Sequence, residues 1–296
     1  MKTTRITHTN YLRTGYGERE ISEESYLEAE INYDDNGHTL KETHYTSDGD
    51  IESVVENSFN EKGEIVSSAQ YDENNELTQK NTFYYEDGKL MKKGCFYGEG
   101  SPEYLTQLVY ENGLLIREDA YDDDELDYTE KRHEYNEDGL ETLCIEYTED
   151  QEIIYRTLSE YNEKGQLCKR HREEPLEHDS RTYTFEYDDN GLKTKELIFN
   201  YDQKLIAKAY FTYNENGNIT EMEEENLDNY RRTCYSYQGT NCTKIELFDR
   251  DGTMLAWTEY TYNEYNEVIL VKNYIQDEVD PEKYRISSSV QYDIEH

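Results

Sequence analysis

Proline and glycine are both scarce in this chain, with 3 and 16 of 296 residues. So few of either exclude a low-complexity linker. Hydrophobic residues make up only 34% of the chain, against about 45–50% in ordinary globular domains, and no stretch approaches the roughly 18 apolar residues of a membrane span. These shortages argue against two ordinary globular domains and against a membrane-spanning segment.

Cysteine is also infrequent, and its pattern is uninformative for disulfide or zinc chemistry. The five cysteines are an odd number with scattered spacing and no C-x-x-C pair: Cys95, Cys144, Cys168, Cys234 and Cys242. This pattern favours reduced thiols over a disulfide framework or a zinc site. No apolar segment follows the charges of Lys2 and Arg5, so we expect no secretory signal peptide and a cytoplasmic location.

Positive charge is in short supply, because 30 Lys and Arg face 68 Asp and Glu, for a net charge of −38. Such a field repels nucleic acid and anionic membranes, so neither is an expected partner. Two explanations of the acidic excess stay open. It keeps an open sheet soluble, or it steers the protein toward a basic protein.

The usual catalytic motifs are missing as well. There is no glycine-rich phosphate loop, no H-E-x-x-H and no G-x-S-x-G, so we predict no cofactor and no enzymatic activity. A metal site from His171, His178 and either Glu173 or Asp179 is conceivable, but surface histidines in a polar loop are far more common. Asp249–Gly252 lacks the later ligands of a calcium loop and is typical of an acidic turn.

What the chain does have is tyrosine, 31 residues of it. A polar, highly charged chain would otherwise be classed as disordered. Tyrosine forms strands well and carries a large apolar ring, so the composition favours a folded but thin β structure.

One phrase recurs along the chain: an aromatic residue, then Asn, Asp or Glu, an acidic residue, any residue, Gly and an aliphatic residue. Its aromatic positions are Tyr33, Phe59, Tyr85, Tyr110, Tyr135, Tyr161, Tyr187 and Tyr213, with weaker copies at Tyr237 and Tyr262. A spacing of about 25 residues indicates a tandem repeat. We count about ten units of 25–26 residues.

Each unit divides into two halves. About twelve residues after the first aromatic comes a second, at Tyr45, Tyr71, Tyr97, Tyr121, Tyr147 and Phe199. Twelve residues suffice for one strand and one tight turn, which predicts an antiparallel meander. The Asn-Glu-Lys-Gly type of turn predicts a type I turn closed by a left-handed residue, normally Gly. Asn241 and Asn266 stand at that offset where Gly is missing, and we expect them to replace it.

Strand alternation completes the predicted fold. Tyr183, Phe185 and Tyr187 have period two, which places their rings on one sheet face and predicts a ladder of rings from repeat to repeat. The predicted fold class is all-β, with tandem antiparallel β-hairpin repeats forming one long curved, solenoid-like β-meander over residues 33–292. Residues 1–32 form a predicted N-terminal capping segment, in which Ile21–Ile31 is ambiguous between helix and strand.

The turns fall into two rows. The first row, with Gly, is nearly uniform in length, whereas the second is irregular at residues 98–102, 122–125, 173–178 and 277–283. Loops on a regular scaffold commonly carry binding specificity. Drift in unconstrained loops explains the variation equally well.

The Tyr-Asp/Asn-x-x-Gly-x-Leu phrase resembles the YD repeats of bacterial RHS-type proteins and is similar to the MORN-variant repeats of a family of bacterial antitoxins. The resemblance covers roughly residues 33–292. It implies β-hairpin architecture, and it implies either a β-sheet shell or cell-surface role or, for the antitoxin-type members, neutralisation of a toxin. The chain departs from large RHS proteins in having no long shell or C-terminal toxin domain, and its turns lack the glycine-rich phrases of MORN repeats. No site residue carries over.

These observations predict a non-enzymatic protein-binding repeat protein, an acidic cytoplasmic immunity protein or antitoxin that neutralises a basic toxin. The residues predicted to contact that partner are the acidic runs Asp122, Asp123, Asp124 and Glu125, and Glu223, Glu224 and Glu225. The alternative is a carbohydrate or cell-wall binding module that uses the tyrosine ladder as a stacking platform. Exposed rings along one groove would favour sugar, and covered rings with acidic edges would favour a protein.

Overall fold

The computed structural model describes residues 2–14, 20–98, 104–122, 125–277, 279–280 and 283–295, and these residues are mostly β-strand, joined by short turns. The first eleven strands are β1 Lys2–Arg13, β2 Ile21–Tyr33, β3 Thr39–Tyr45, β4 Ile51–Phe59, β5 Ile65–Tyr71, β6 Leu77–Glu86, β7 Lys89–Phe96, β8 Tyr104–Glu111, β9 Leu114–Asp122, β10 Glu125–Tyr135 and β11 Glu141–Tyr147. The remaining strands are β12 Ile153–Tyr161, β13 Leu167–Glu174, β14 Asp179–Tyr187, β15 Lys193–Phe199, β16 Leu205–Tyr213, β17 Ile219–Asn226, β18 Tyr230–Gln238, β19 Asn241–Phe248, β20 Met254–Tyr262, β21 Val268–Gln276 and β22 Tyr284–Ile294. One turn of 3-10 helix, Pro175–Glu177, joins β13 to β14. No helix in the described part of the chain is long and apolar enough to cross a membrane.

All the strands belong to one sheet, and neighbours in sequence are neighbours in the sheet. Successive strands pair antiparallel from β1 to β5, from β7 to β17 and from β18 to β22. The predicted all-β antiparallel hairpin array is therefore confirmed.

The predicted open, solenoid-like meander is wrong, because the ends of the array meet. Strand β1 pairs antiparallel with β22, with Thr4 opposite Ile294 and His8 opposite Val290. The first and last strands of the 22-stranded sheet are thus joined to each other, so the array has no open ends. Pairing the first strand with the last gives backbone partners to two edges that an open array would leave exposed. A local hairpin pattern carries no information about whether its ends join.

The chain divides into two compact units, one of residues 1–81, 97–100 and 231–296 and one of residues 82–96 and 101–230. In the first unit, the segment predicted as an N-terminal cap forms a long hairpin of β1 and β2, and Ile21–Ile31 is strand. Ala29 and Val54 are among its few buried apolar residues. The buried apolar side chains among the described residues of this unit, Ala29, Val54 and Ala69, are small.

In the second unit, the most buried residues include two polar ones, Thr106 and Asp119. Asp119 is only 1% exposed, and its carboxylate accepts hydrogen bonds from Arg117 Nε (2.8 Å) and Thr129 Oγ1 (3.0 Å). A buried carboxylate is tolerated when it is paired and hydrogen-bonded in this way.

The predicted turn chemistry is confirmed in most hairpins. In the β10–β11 turn, the Asn136 side chain accepts hydrogen bonds from the backbone N–H groups of Asp138 and Leu140, and Gly139 has φ 76°. Each such turn is followed by a register shift of the bulge type. Asn266 takes the left-handed conformation as expected, with φ 63°.

Asn241 does not take that conformation, and this prediction is wrong. The β18–β19 loop has only two residues, Gly239 and Thr240, between the paired Gln238 and Asn241. Gly239 has φ 65°, and Asn241 is the first residue of β19. The shorter loop moves the left-handed position two residues earlier.

A row of tyrosines at the ends of alternate strands ties each repeat to the one before. Each tyrosine hydroxyl donates to the backbone carbonyl of the residue 20 positions earlier, at 2.6–2.9 Å: Tyr110, Tyr135, Tyr161, Tyr187, Tyr213 and Tyr262. We call these the strand-end tyrosines. Among the described residues, the close ring–ring contacts lie elsewhere and join no two of them. The row is therefore a hydrogen-bonded series and not the predicted ring stack.

Candidate functional site

The first predicted acidic run lies at the β9–β10 hairpin, in the second turn row. Asp122 and Glu125 face each other across the hairpin and are both exposed. Asp123 and Asp124 lie outside the described residues. The carboxylates of Asp122 and Glu125 are thus exposed to solvent at the strand ends, where the hairpin turns.

The second predicted run lies on β17 and is divided between the two sheet faces. Glu223 and Glu225 are half-buried and share one face, where Glu225 pairs with Lys208 at 2.8 Å, whereas Glu224 is exposed on the other face. The two acidic runs also lie far apart. Seven strand steps separate β10 from β17, or about 34 Å along the sheet at about 4.8 Å per step. The structure therefore does not bring the five described residues of the two runs into one site.

A groove beside the first run does combine acidic and aromatic side chains. It lies between β10, β11 and β12 and is lined by Tyr128, Glu130, Glu146, Tyr147, Thr148, Glu149, Asp150 and Ile154. We call it the β10–β12 groove. Glu149 and Asp150 are exposed at the tip of the β11–β12 turn, and Ile154 is 37% exposed. Carboxylates, tyrosine rings and an exposed aliphatic side chain thus lie together at the same end of the strands as Asp122 and Glu125.

A second cluster, which we call the His133 cluster, lies on the β10–β11 pair. His133 lies directly opposite Cys144. Two residues further along β10, Tyr135 lies opposite Glu141. His133 Nδ1 is 2.7 Å from Glu141 Oε1, and His133 Nε2 is 3.7 Å from Glu118 Oε1 on β9. Cys144 Sγ, the Glu141 carboxylate and a ring nitrogen of His133 all lie within 4.8 Å of one another.

The pKa values of several side chains in and beside this cluster are strongly shifted from their ordinary values. The Cys144 thiol, followed by the Glu118 and Glu141 carboxylates, raises the pKa of His133 to about 10, and burial opposes the rise. Interaction with His133 lowers the pKa of Glu118 to about 2, and Lys93, 2.8 Å away, contributes to that. Burial, with Glu146 and Cys144 nearby, raises the pKa of Tyr155 above its ordinary value. Perturbed groups of this kind concentrate at functional sites.

Sequence reasoning did not find this cluster, although a signal was present. His133 lies two residues before Tyr135, and the corresponding positions before Tyr187 and Tyr213 hold Phe185 and Phe211. Histidine stands at this position in no other repeat, and that was the departure to notice.

The histidine pair near Pro175 was the metal candidate considered from sequence. Both ring nitrogens of His171 already have partners, Thr182 Oγ1 at 3.0 Å and Glu173 Oε1 at 3.1 Å. His178 ends the 3-10 turn with φ 53°. Both ring nitrogens of His171 are thus used in contacts within the β13–β14 hairpin. Among the described residues, His171 and His178 do not form a group of metal ligands.

Comparisons with known proteins place the chain in no family. No family model and no curated protein matches it. A crystal structure of TcdB2-TccC3-Cdc42 is similar over 84% of this chain and 15% of that chain, at 14% identity and TM-score 0.40. The Photorhabdus luminescens Tc holotoxin pore is similar over 83% and 15%, at 14% identity and TM-score 0.37. A porin-like protein from Bacteroides uniformis is similar over 98% and 97%, at 10% identity and TM-score 0.35. The chain thus spans about 15% of the length of the two toxin chains, and its structural neighbours include Tc toxin components at low identity.

Proposed function

We propose that this chain is a non-enzymatic binding protein for a basic protein partner, with the β10–β12 groove, Asp122 and Glu125 as its contact surface. The proposal depends on one observation: four carboxylates, two tyrosines and an exposed isoleucine line the same groove at one end of the strands. Tyrosine is favoured at interface centres, and complementary charge raises association rates. The net charge of −38 extends the attraction beyond the contact area.

The finer proposal is that the partner is a toxin and that the chain neutralises it in the cytoplasm. It rests on the resemblance of the Tyr-Asp/Asn-x-x-Gly-x-Leu phrase to antitoxin repeats and on the acidic charge. The carbohydrate alternative has less support, because the strand-end tyrosines use their hydroxyls on backbone carbonyls and are half-buried. Sugar stacking needs free ring faces in a row.

The test is recovery of the tagged chain from its native cells at low and high salt, with identification of the protein that accompanies it. The variant changes four exposed acids of the surface together, Asp122→Asn, Glu125→Gln, Glu149→Gln and Asp150→Asn. The matched control removes four exposed acids from the first turn row, Glu137→Gln, Asp138→Asn, Glu163→Gln and Asp189→Asn.

We expect a stoichiometric basic protein that the wild type and the control capture at low salt and release at high salt. The surface variant should capture at least tenfold less. Equal loss in both variants would reduce the effect to net charge, and unchanged capture by the surface variant would contradict the proposed surface. A partner-free chain that binds glycans would favour the carbohydrate module.

A further inference from the structure

The cross-strand pair His133–Cys144 occupies a position that the repeat elsewhere fills with other residues. The equivalent opposed pairs are Phe185–Glu196 on β14–β15, Phe211–Met222 on β16–β17 and Tyr260–Val271 on β20–β21. Hairpins with these pairs form the same strands and turns. The fold itself therefore does not require a histidine or a cysteine at this position.

Glu141 departs from the repeat in the same way. It lies opposite the strand-end Tyr135, and the residues opposite Tyr187, Tyr213 and Tyr262 are Lys193, Ile219 and Val268. His133, Cys144 and Glu141 thus converge in a single repeat, whereas none of these three hairpins combines an imidazole, a thiol and a carboxylate at the same positions. These three groups have the chemistry of metal ligands.

The imidazole in this cluster is buried and incompletely satisfied. The His133 side chain is 10% exposed, and its Nε2 atom has no hydrogen-bond partner among the described residues. Glu118 Oε1 is nearest among ion-pairing groups, at 3.7 Å, which is beyond hydrogen-bond distance. Nε2 thus lies toward Glu118, whereas Nδ1 lies 2.7 Å from Glu141, so Nδ1 is the ring nitrogen that can take a metal together with that carboxylate.

We propose that His133, Cys144 and Glu141 are the three protein ligands of a zinc site with an open fourth position. Imidazole nitrogen, thiolate sulfur and carboxylate oxygen are the ligands that Zn²⁺ takes in proteins, whereas Mg²⁺ and Ca²⁺ prefer oxygen alone. The site is separate from the proposed contact surface, since its residues do not line the β10–β12 groove.

Only small movements bring the three groups to zinc geometry. Zinc bonds of about 2.0–2.3 Å in a tetrahedron place ligand atoms about 3.3–3.8 Å apart. The three ligand atoms already lie within 4.8 Å of one another, and His133 Nδ1 and Glu141 Oε1, now 2.7 Å apart, separate when the ion replaces the proton between them. Glu118, held by Lys93 at 2.8 Å, is placed beside the ring to act as the outer carboxylate that commonly orients a metal-bound histidine.

The experiment titrates the reduced full chain with Co²⁺ and Zn²⁺ in the presence of a large excess of Mg²⁺. The Mg²⁺ occupies weak sites among the 68 carboxylates. We expect one equivalent of Co²⁺ to bind with a thiolate-to-metal charge-transfer absorption and to be displaced by Zn²⁺.

The decisive variant is the double substitution His133→Phe and Cys144→Met, which installs the Phe211–Met222 pair of the β16–β17 hairpin and is therefore expected to fold. Its affinity should fall at least 100-fold and the absorption should disappear. The control Cys168→Ser alters a half-buried cysteine on β13 outside the cluster and should change neither. Absence of binding above the Mg²⁺ background in the wild type would overturn the proposal. Binding without the thiolate absorption, or equal binding by the double variant, would overturn it as well.

Discussion

The β10–β11 and β16–β17 hairpins place two different chemistries on one backbone. At equivalent opposed positions the first has His133 and Cys144 and the second has Phe211 and Met222. Both hairpins have a Gly turn, a bulge and a strand-end tyrosine bonded to a carbonyl of the preceding repeat. The repeat therefore fixes the backbone, and the residues on its faces are free to acquire local chemistry.

The largest expected effect is a loss of stability when the carboxylate beside the His133–Cys144 pair is removed, compared with the carboxylate beside the Phe211–Met222 pair. Glu118→Leu should destabilise the chelator-treated protein by about 3 kcal/mol, because the mostly buried His133 and Lys93 lose their anionic neighbour. Among the described residues, its counterpart Glu196 forms an ion pair with Lys193 alone, whose side chain is 33% exposed against 10% for His133, so Glu196→Leu should cost about 1 kcal/mol or less. Urea unfolding of both variants measures the difference. Equal losses would mean that the His133 cluster has no special electrostatic weight.

The next-largest effect is a gain in the free energy of unfolding, and we expect the same gain near both hairpins. Gln151 and Gln203 occupy the left-handed position of second-row turns, with φ 61° and 59°, where two other turns of that row have Gly49 and Gly252. A left-handed non-glycine residue costs about 1–2 kcal/mol, so Gln151→Gly and Gln203→Gly should each raise the free energy of unfolding by about 1 kcal/mol. Thermal unfolding checks this, with Gly217→Gln as the reverse control. A gain at only one turn would show that strain differs between the regions.

A smaller and equal loss is expected from the strand-end tyrosines. Tyr135→Phe and Tyr213→Phe each remove one hydroxyl bond to a backbone carbonyl, at 2.7 and 2.6 Å. Each should cost about 1 kcal/mol. The chain itself has Phe59 at an equivalent position, so the ring alone is compatible with the fold. A much larger loss for Tyr135→Phe in chemical denaturation would tie that tyrosine to the neighbouring cluster.

The smallest effect concerns the half-buried pair His171–Glu173, which is more exposed than the pair of His133 and Glu118. Partial burial of Glu173 is outweighed by Arg156 and His171, so its pKa is lowered. A depressed folded-state pKa adds stability above the unfolded-state pKa of about 4.3, and this contribution is lost as pH falls through the folded-state value. Relative to Glu173→Gln, the wild type should gain about 0.5 kcal/mol at pH 7 and nothing well below pH 4. A difference that persists in strong acid would mean that the effect is not ionic.

Some features could be predicted from the sequence because they depend on a few adjacent residues. The turns follow from one Asn, Asp or Thr and a left-handed residue three positions later, and the strands follow from alternating aromatics. Asn241 shows where the rule fails, since a two-residue loop moves the left-handed position to Gly239. The His133 cluster could not be predicted, because His133 lies 8 positions from Glu141 and 11 from Cys144 and only the strand register brings them together.

The sequence by itself determined the strands, their antiparallel order and the chemistry of their turns, since each is a local property of a 25-residue unit. The tertiary structure alone decided that β1 and β22 meet, that Glu224 lies on the opposite face from Glu223 and Glu225, and that His133, Cys144 and Glu141 converge. The physical reason is that closure and convergence depend on the register and twist accumulated over many strands, which no single repeat encodes.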